Sequence, residues 1–125
     1  MSATHALSVT VETTYVEEQS SPEDRRYVFA YTITMRNTGR VRARLQSRHW
    51  VITDANGRIE EVRGPGVVGQ HPHLAPGEAF RYTSAAAIET PVGTMHGSYQ
   101  MIGDDGVAFE APIAPFRLAA SQVFH

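Results

Sequence analysis

Between Arg26 and Met35 the chain puts Tyr27, Phe29, Tyr31, Ile33 and Met35 at every second position, with the smaller Val28, Ala30, Thr32 and Thr34 between them. A helix would scatter those five side chains around its circumference. An extended strand lines them up on one face. The segment therefore predicts a strand with one face in the core, and a chain built around it needs other elements to cover that face.

The same period of two recurs. Leu7, Val9, Val11 and Tyr15 share one parity, and so do Phe80 and Tyr82, then Tyr99 and Met101. Val41, Ala43 and Leu45 are odd-numbered and inward, whereas Trp50 and Ile52 are even-numbered, so the phase changes within one strand. That change predicts a β-bulge near Ser47 to His49, which would re-aim Arg48 and His49. Turn chemistry separates the strands: the proline-containing loop from Glu17 to Asp24, Asn37-Thr38-Gly39 with Gly39 free to take positive φ, Asn56-Gly57, Pro91-Val92-Gly93, and Asp104-Asp105-Gly106. Pro112 and Pro115 predict a bend, followed by a last short strand at Phe116 to Leu118 and a fraying tail from Ala119. Turn signals spaced roughly every 8–12 residues, with no credible helix, predict an all-β chain. The expected architecture is an immunoglobulin-like or fibronectin type III-like β-sandwich of seven to eight antiparallel strands, with Trp50 as the buried aromatic of the third strand and a small closed barrel as the rival.

At 125 residues the chain is expected to be one domain spanning 1–125, with a core of about 5–118. It has no cysteine, which excludes disulfides, thiolate metal sites and a cysteine nucleophile, and fits a cytoplasmic location. No apolar run reaches the roughly 18 residues of a membrane span, and the N-terminus lacks a signal-peptide layout. The net charge of −2 gives nucleic acid no support. All eleven basic residues are arginine, so a lysine Schiff base and a P-loop lysine are excluded. Arg40, Arg42, Arg44 and Arg48 nonetheless cluster.

The loop Gly64-Pro65-Gly66-Val67-Val68-Gly69 matches the Gly-x-Gly-x-x-Gly pattern that cradles a pyrophosphate. The pattern works when a helix N-terminus follows it. Here Gln70-His71-Pro72-His73-Leu74-Ala75-Pro76-Gly77 follows, and its prolines and glycine exclude that helix. Structural glycines in a wide crossover between two sheets are the expectation. A bare nest of N–H groups at Gly64, Gly66 and Gly69, aided by Arg48 or Arg63, is the candidate anion or pyrophosphate site.

His71 and His73 are the candidate metal ligands, although zinc asks for three or four donors. Ser47, His49 and Asp54 offer catalytic residue types without a nucleophile elbow or oxyanion donors. Glu60 and Glu61 are adjacent on a strand and point to opposite faces. An enzyme is not expected, and no cofactor is implied.

Arg48-His49-Trp50-Val51-Ile52-Thr53-Asp54, Asn56-Gly57, Val62 and the glycine loop occur with Pro72, Leu74, Pro76-Gly77, Phe80, Tyr82, Pro91, Gly93 and Met95-His96-Gly97-Ser98-Tyr99. Together with Tyr27 to Tyr31, Asn37 and Phe109, this joint pattern resembles the bacterial ApaG family over nearly the whole chain. The resemblance implies a fibronectin type III-like sandwich and an association with cobalt and magnesium resistance or efflux. It also implies gene neighbours that hydrolyse diadenosine tetraphosphate or methylate ribosomal RNA. Similar domains in eukaryotic F-box proteins and in a DNA polymerase-interacting protein look like protein-interaction modules. The resemblance carries no catalytic residue, and without a membrane span an efflux role would be indirect.

Three readings follow: a non-catalytic module with a protein partner, a nucleotide or pyrophosphate receptor, and a divalent-cation binder. A monomer or weak homodimer is expected, since exposed sheet edges permit pairing without requiring it.

Overall fold

The computed structural model describes residues 3–120. Eight strands run in chain order: β1 Leu7–Tyr15, β2 Tyr27–Asn37, β3 Ala43–Asp54, β4 Ile59–Pro65, β5 His73–Leu74, β6 Ala79–Ile88, β7 Val92–Gly103 and β8 Ala108–Ala119. Two single 3-10 turns, Glu17–Gln19 and Pro22–Asp24, occupy the polar loop after β1. One sheet has the order β1-β2-β6; the other has β4-β3-β7-β8, with β5 paired to the start of β3. All pairings are antiparallel. The two sheets form the expected β-sandwich.

The period of two places the core. Phe29, Ile33 and Met35 of β2 face Leu45, Met95, Tyr99 and Leu118 of the other sheet, all fully buried. Trp50 lies at the centre: its ring meets Tyr31 edge-on at 5.4 Å and Phe116 at 5.8 Å between centroids, geometries the aromatic quadrupole favours. Buried Asn37 ties the strand ends together. Its Nδ2 donates to the carbonyls of Val41 and Leu74 at 2.9 and 2.8 Å, and its Oδ1 accepts from Gly39 N–H at 2.9 Å.

The expected β3 bulge is present, with its register break between Leu45 and Ser47, at the start of the stretch where it was expected and where β3 changes partner from β5 to β4. Three local expectations change. Gly39 does not take positive φ; its hydrogen is needed because a Cβ would lie 2.5 Å from the Thr4 carbonyl. Pro112 and Pro115 do not break the last strand: β8 continues to Ala119. It is an edge strand, where a missing N–H is tolerated, and a register shift opposite Met95 and Gly97 absorbs the extra residue. Gly64 and Pro65 belong to β4, so the glycine-rich segment is strand at its start. Of the tail predicted to fray, residues 121–125 lie outside the described residues.

The two long sides of the sandwich differ. β1 packs against β8, and His5 reinforces that side by packing tilted against Phe109, with 5.5 Å between ring centroids, and bonding Asp105 at 2.8 Å. The hydrogen bond from His5 holds the Asp105 carboxyl below its usual range. On the other side, β4 and β6 each end their sheet. Three adjoining hollows lie between them, of about 280, 380 and 260 Å³.

Candidate functional site

Arg48 enters this open side because of the β3 bulge. The shift puts Arg48, Trp50 and Ile52 on the inner face. Opposite Arg48 stands Gly64. With no side chain there, the guanidinium lies over the Gly64 backbone, where an added Cβ would come within 3.0 Å of both terminal nitrogens. Arg48 Nη1 donates to the carbonyls of Pro65 and Gly66 at 3.0 and 2.9 Å. The first glycine of the motif thus makes room for an arginine that holds the loop's carbonyls.

The rest of the loop is turned in on itself. Gly66 has φ of +60°, and its N–H donates to Gln46 O at 2.9 Å. Val67 and Gln70 exchange N–H···O bonds of 2.9 and 2.8 Å, and the two residues between them, Val68 and Gly69, have φ of +43° and +78°. Positive φ at both central positions is a type I′ turn. Buried Val67 anchors the turn, while Val68 is exposed at its tip. Three loop donors are therefore already engaged, and β5 rather than a helix follows the turn.

The sequence candidates do not all converge. Arg48, Gly64, Gly66 and Gly69 lie together. Arg63 pairs with His49, one register position away, so it stands on the outer face, and among the described residues its one ion pair is with Glu61, at 3.8 Å. His71 bonds the Leu45 carbonyl through Nδ1 at 3.0 Å. His73 bonds Asp104 at 2.7 Å through Nε2, and Arg44 stands 3.2 Å from its Nδ1. A guanidinium at that nitrogen opposes a cation there, and no group of three or more His, Cys, Asp or Glu among the described residues is placed to hold a metal.

The catalytic residue types are committed elsewhere. Ser47 donates to Gln100 at 2.7 Å, His49 bonds Glu61 at 2.8 Å, and one carboxylate oxygen of Asp54 accepts the Asn56 and Arg58 N–H groups in the hairpin.

The hollow beside Arg48 also contains residues that sequence reading did not single out as site residues. Tyr82 and Ser84 line it from β6, and Tyr31 from β2. The Tyr82 and Tyr99 hydroxyls lie 2.6 Å apart. Burial pushes the Tyr82 phenol up to about 12, partly offset by its hydrogen bond with Tyr99. Burial raises Tyr99 further, with repulsion from Tyr82 adding to it. Along the inner face of β6 the side chains shrink from Tyr82 to Ser84 to Ala86. That decline was visible in the sequence and leaves room between β6 and β4.

Residues 17–103 match the ApaG domain. The chain belongs to the ApaG family. It is 61% identical over 124 residues to a Protein ApaG from Azoarcus sp. (strain BH72), covering 99% of this chain and 98% of that one. It is 60% identical over 121 residues to a Protein ApaG from Methylococcus capsulatus, covering 97% and 96%. The crystal structure of an ApaA protein from Bordetella pertussis superposes with a TM-score of 0.94 at 51% identity, covering 98% of this chain and all of that one. The ApaG domain here is an eight-stranded antiparallel sandwich with no assembled catalytic group among the residue types its sequence offered. No helix among the described residues is long and apolar enough to cross a membrane.

Proposed function

We propose that this ApaG domain is a protein-interaction module whose recognition surface is the open side between β4 and β6. One observation carries the reading: the sandwich is packed shut where β1 meets β8 and hollow where β4 faces β6. Unpaired strand edges offer a row of backbone donors and acceptors, the basis of recognition by strand addition. Three large apolar side chains are exposed among the described residues: Ile59, Val68 and Val107. Ile59 and Val68 stand at opposite ends of the hollow side. Val68 also holds a left-handed backbone that a β-branched residue rarely adopts, and such strain tends to persist where function uses it. On this reading, any link to cobalt or magnesium resistance acts through the bound partner.

The test compares proteins captured from native extract by the unaltered domain, by an Ile59→Asp, Val68→Asp double variant, and by Val107→Asp. The reading expects the double variant to lose partners that Val107→Asp retains. Equal capture by all three would remove it.

Pyrophosphate binding at Arg48 and the 64–69 loop is a second reading. Its support is the guanidinium beside the glycines, and its weakness is that the loop's donors are largely engaged. Unchanged amide shifts on titration with ATP or diadenosine tetraphosphate would eliminate it.

A further inference from the structure

The open side contains one cation at its glycine-loop end, Arg48. Arg48 is half-buried and takes part in none of the ion pairs among the described residues. Only its Nη1 is engaged in a hydrogen bond there, which leaves the other guanidinium donors available. A half-buried guanidinium is less screened than one in open water, so an anion beside it gains more than at an exposed site.

The hydroxyls around it are poised in the same sense. Tyr99 is fully buried, and among the described residues its hydroxyl bonds only that of Tyr82. Tyr99 therefore donates and Tyr82 accepts, which leaves the Tyr82 O–H proton for the cavity that Tyr82 lines. Ser84 lines the same cavity and has no hydrogen-bond partner for its side chain among the described residues. One cation and two hydroxyl donors thus face one space.

We propose that this hollow is a carboxylate seat, which receives the aspartate or glutamate side chain of an extended peptide lying between β4 and β6. The inference rests on the reading of the open side as the recognition surface and says which segment that surface selects. The hollow beside Arg48 shares Trp50 and Ser84 with the next one, which in turn shares Ile52 and Glu60 with the third. The cavity is a groove longer than a small acid would fill, and its walls are strand edges that a peptide backbone can pair with. Charge fixes the direction of selection. Glu60 shares the middle hollow with Arg48 but lies further along β4, opposite Ile52, and Asp54 and Glu89 line the hollow beyond, with Glu89 already paired with Arg58 at 3.3 Å. The favoured segment carries its acid at the Arg48 end and no acid over Glu60. The same carboxylates, with the net charge of −2, oppose a polyanion such as nucleic acid.

The chain has no cysteine, so a single Ala87→Cys on the β6 lip gives a unique attachment point. Two peptides, Thr-Val-Glu-Val-Thr and its glutamine counterpart, each with a flexible cysteine arm, are tethered there by disulfide exchange in a glutathione buffer. Tethering raises the local concentration enough for weak recognition to register. The seat predicts that the glutamate peptide is retained roughly tenfold more than the glutamine one, the scale of one charge-assisted hydrogen bond. Amide shifts should appear at Arg48, Tyr82 and Ser84. The preference should shrink without reaching unity, and retention of both peptides should fall, in a Tyr82→Phe, Ser84→Ala background, which removes two hydroxyl donors and leaves the Arg48 cation and its bonds to the loop in place.

Equal retention of both peptides, with shifts along β4 and β6, would overturn the seat while leaving the groove reading intact. No groove shifts with either peptide would remove both. Untethered glutarate binding more tightly than the untethered glutamate peptide would overturn the peptide assignment and make this a small-acid site.

Discussion

Where β1 meets β8, large side chains close the space between the sheets. Leu118 and Ile113 on β8 are buried, Phe109 packs beneath His5, and Val9 and Val11 of β1 lie against the same core. Where β4 faces β6, the equivalent inner positions hold Gly64, Val62 and Glu60 on one strand and Ser84 and Ala86 on the other. One sandwich thus has a side filled by apolar volume and a side left hollow by small and polar residues. Burial of apolar surface drives folding on the first side; on the second the same surface remains available to another chain.

The largest expected effect belongs to the closed side. Leu118→Ala should cost about 3 kcal/mol, as for a fully buried leucine, whereas half-buried Val62→Ala on β4 should cost about 1 kcal/mol. Urea unfolding of the two variants measures both, and equal losses would break the comparison.

Next in size is a pH effect at the boundary between the core and the hollow. The Tyr82 phenol ionises near pH 10 in the unfolded chain and is pushed up to about 12 in the fold. Its contribution is complete below pH 10 and is lost as the pH rises toward 12, by about 2 kcal/mol for a shift of this size. Alkaline unfolding of Tyr82→Phe should show a shallower loss over that window.

Gly64→Ala sharpens the contrast further. Its methyl group would press on the Arg48 guanidinium, with an expected cost of about 1 kcal/mol. Larger carbonyl ¹³C shifts at Pro65 and Gly66 than elsewhere in the chain would show that Arg48 holds the loop. The smallest effect has the opposite sign. Val68→Gly should relieve the left-handed strain and stabilise the domain by about 0.5 kcal/mol while weakening partner capture. Thermal melting together with the capture assay reads both quantities.

The strands were legible because their side chains alternate in size, and Trp50 at the core followed from the same pattern. The bulge was legible as a parity change that re-aims Arg48 and His49; that it sends Arg48 into the hollow and His49 to Glu61 came only with the structure. The side of Arg63 was not. An Asn-Gly pair suggests a two-residue turn, which would put Arg63 opposite Trp50; the hairpin instead has the three-residue loop Ala55-Asn56-Gly57, with Asp54 N–H bonding Arg58 O, and pairs Arg63 with His49. A slip of one residue moves a side chain to the other face. The Tyr82–Tyr99 contact joins strands of different sheets, and no spacing along the chain encodes which residues meet across a sandwich. The glycine motif misleads for a related reason. Its residues meet a turn's φ requirements and the bulk of an arginine, and such constraints produce the spacing of a phosphate loop without its helix.

Partners that arrive on the hollow side can be trapped there. A photo-crosslinking amino acid at Ala86, on the inner face of β6, can be compared in cells with the same group at exposed Ala114 on β8. Recognition on the hollow side gives discrete protein adducts from position 86 and none from position 114. Adducts from position 114 alone would place recognition on the closed side and contradict it.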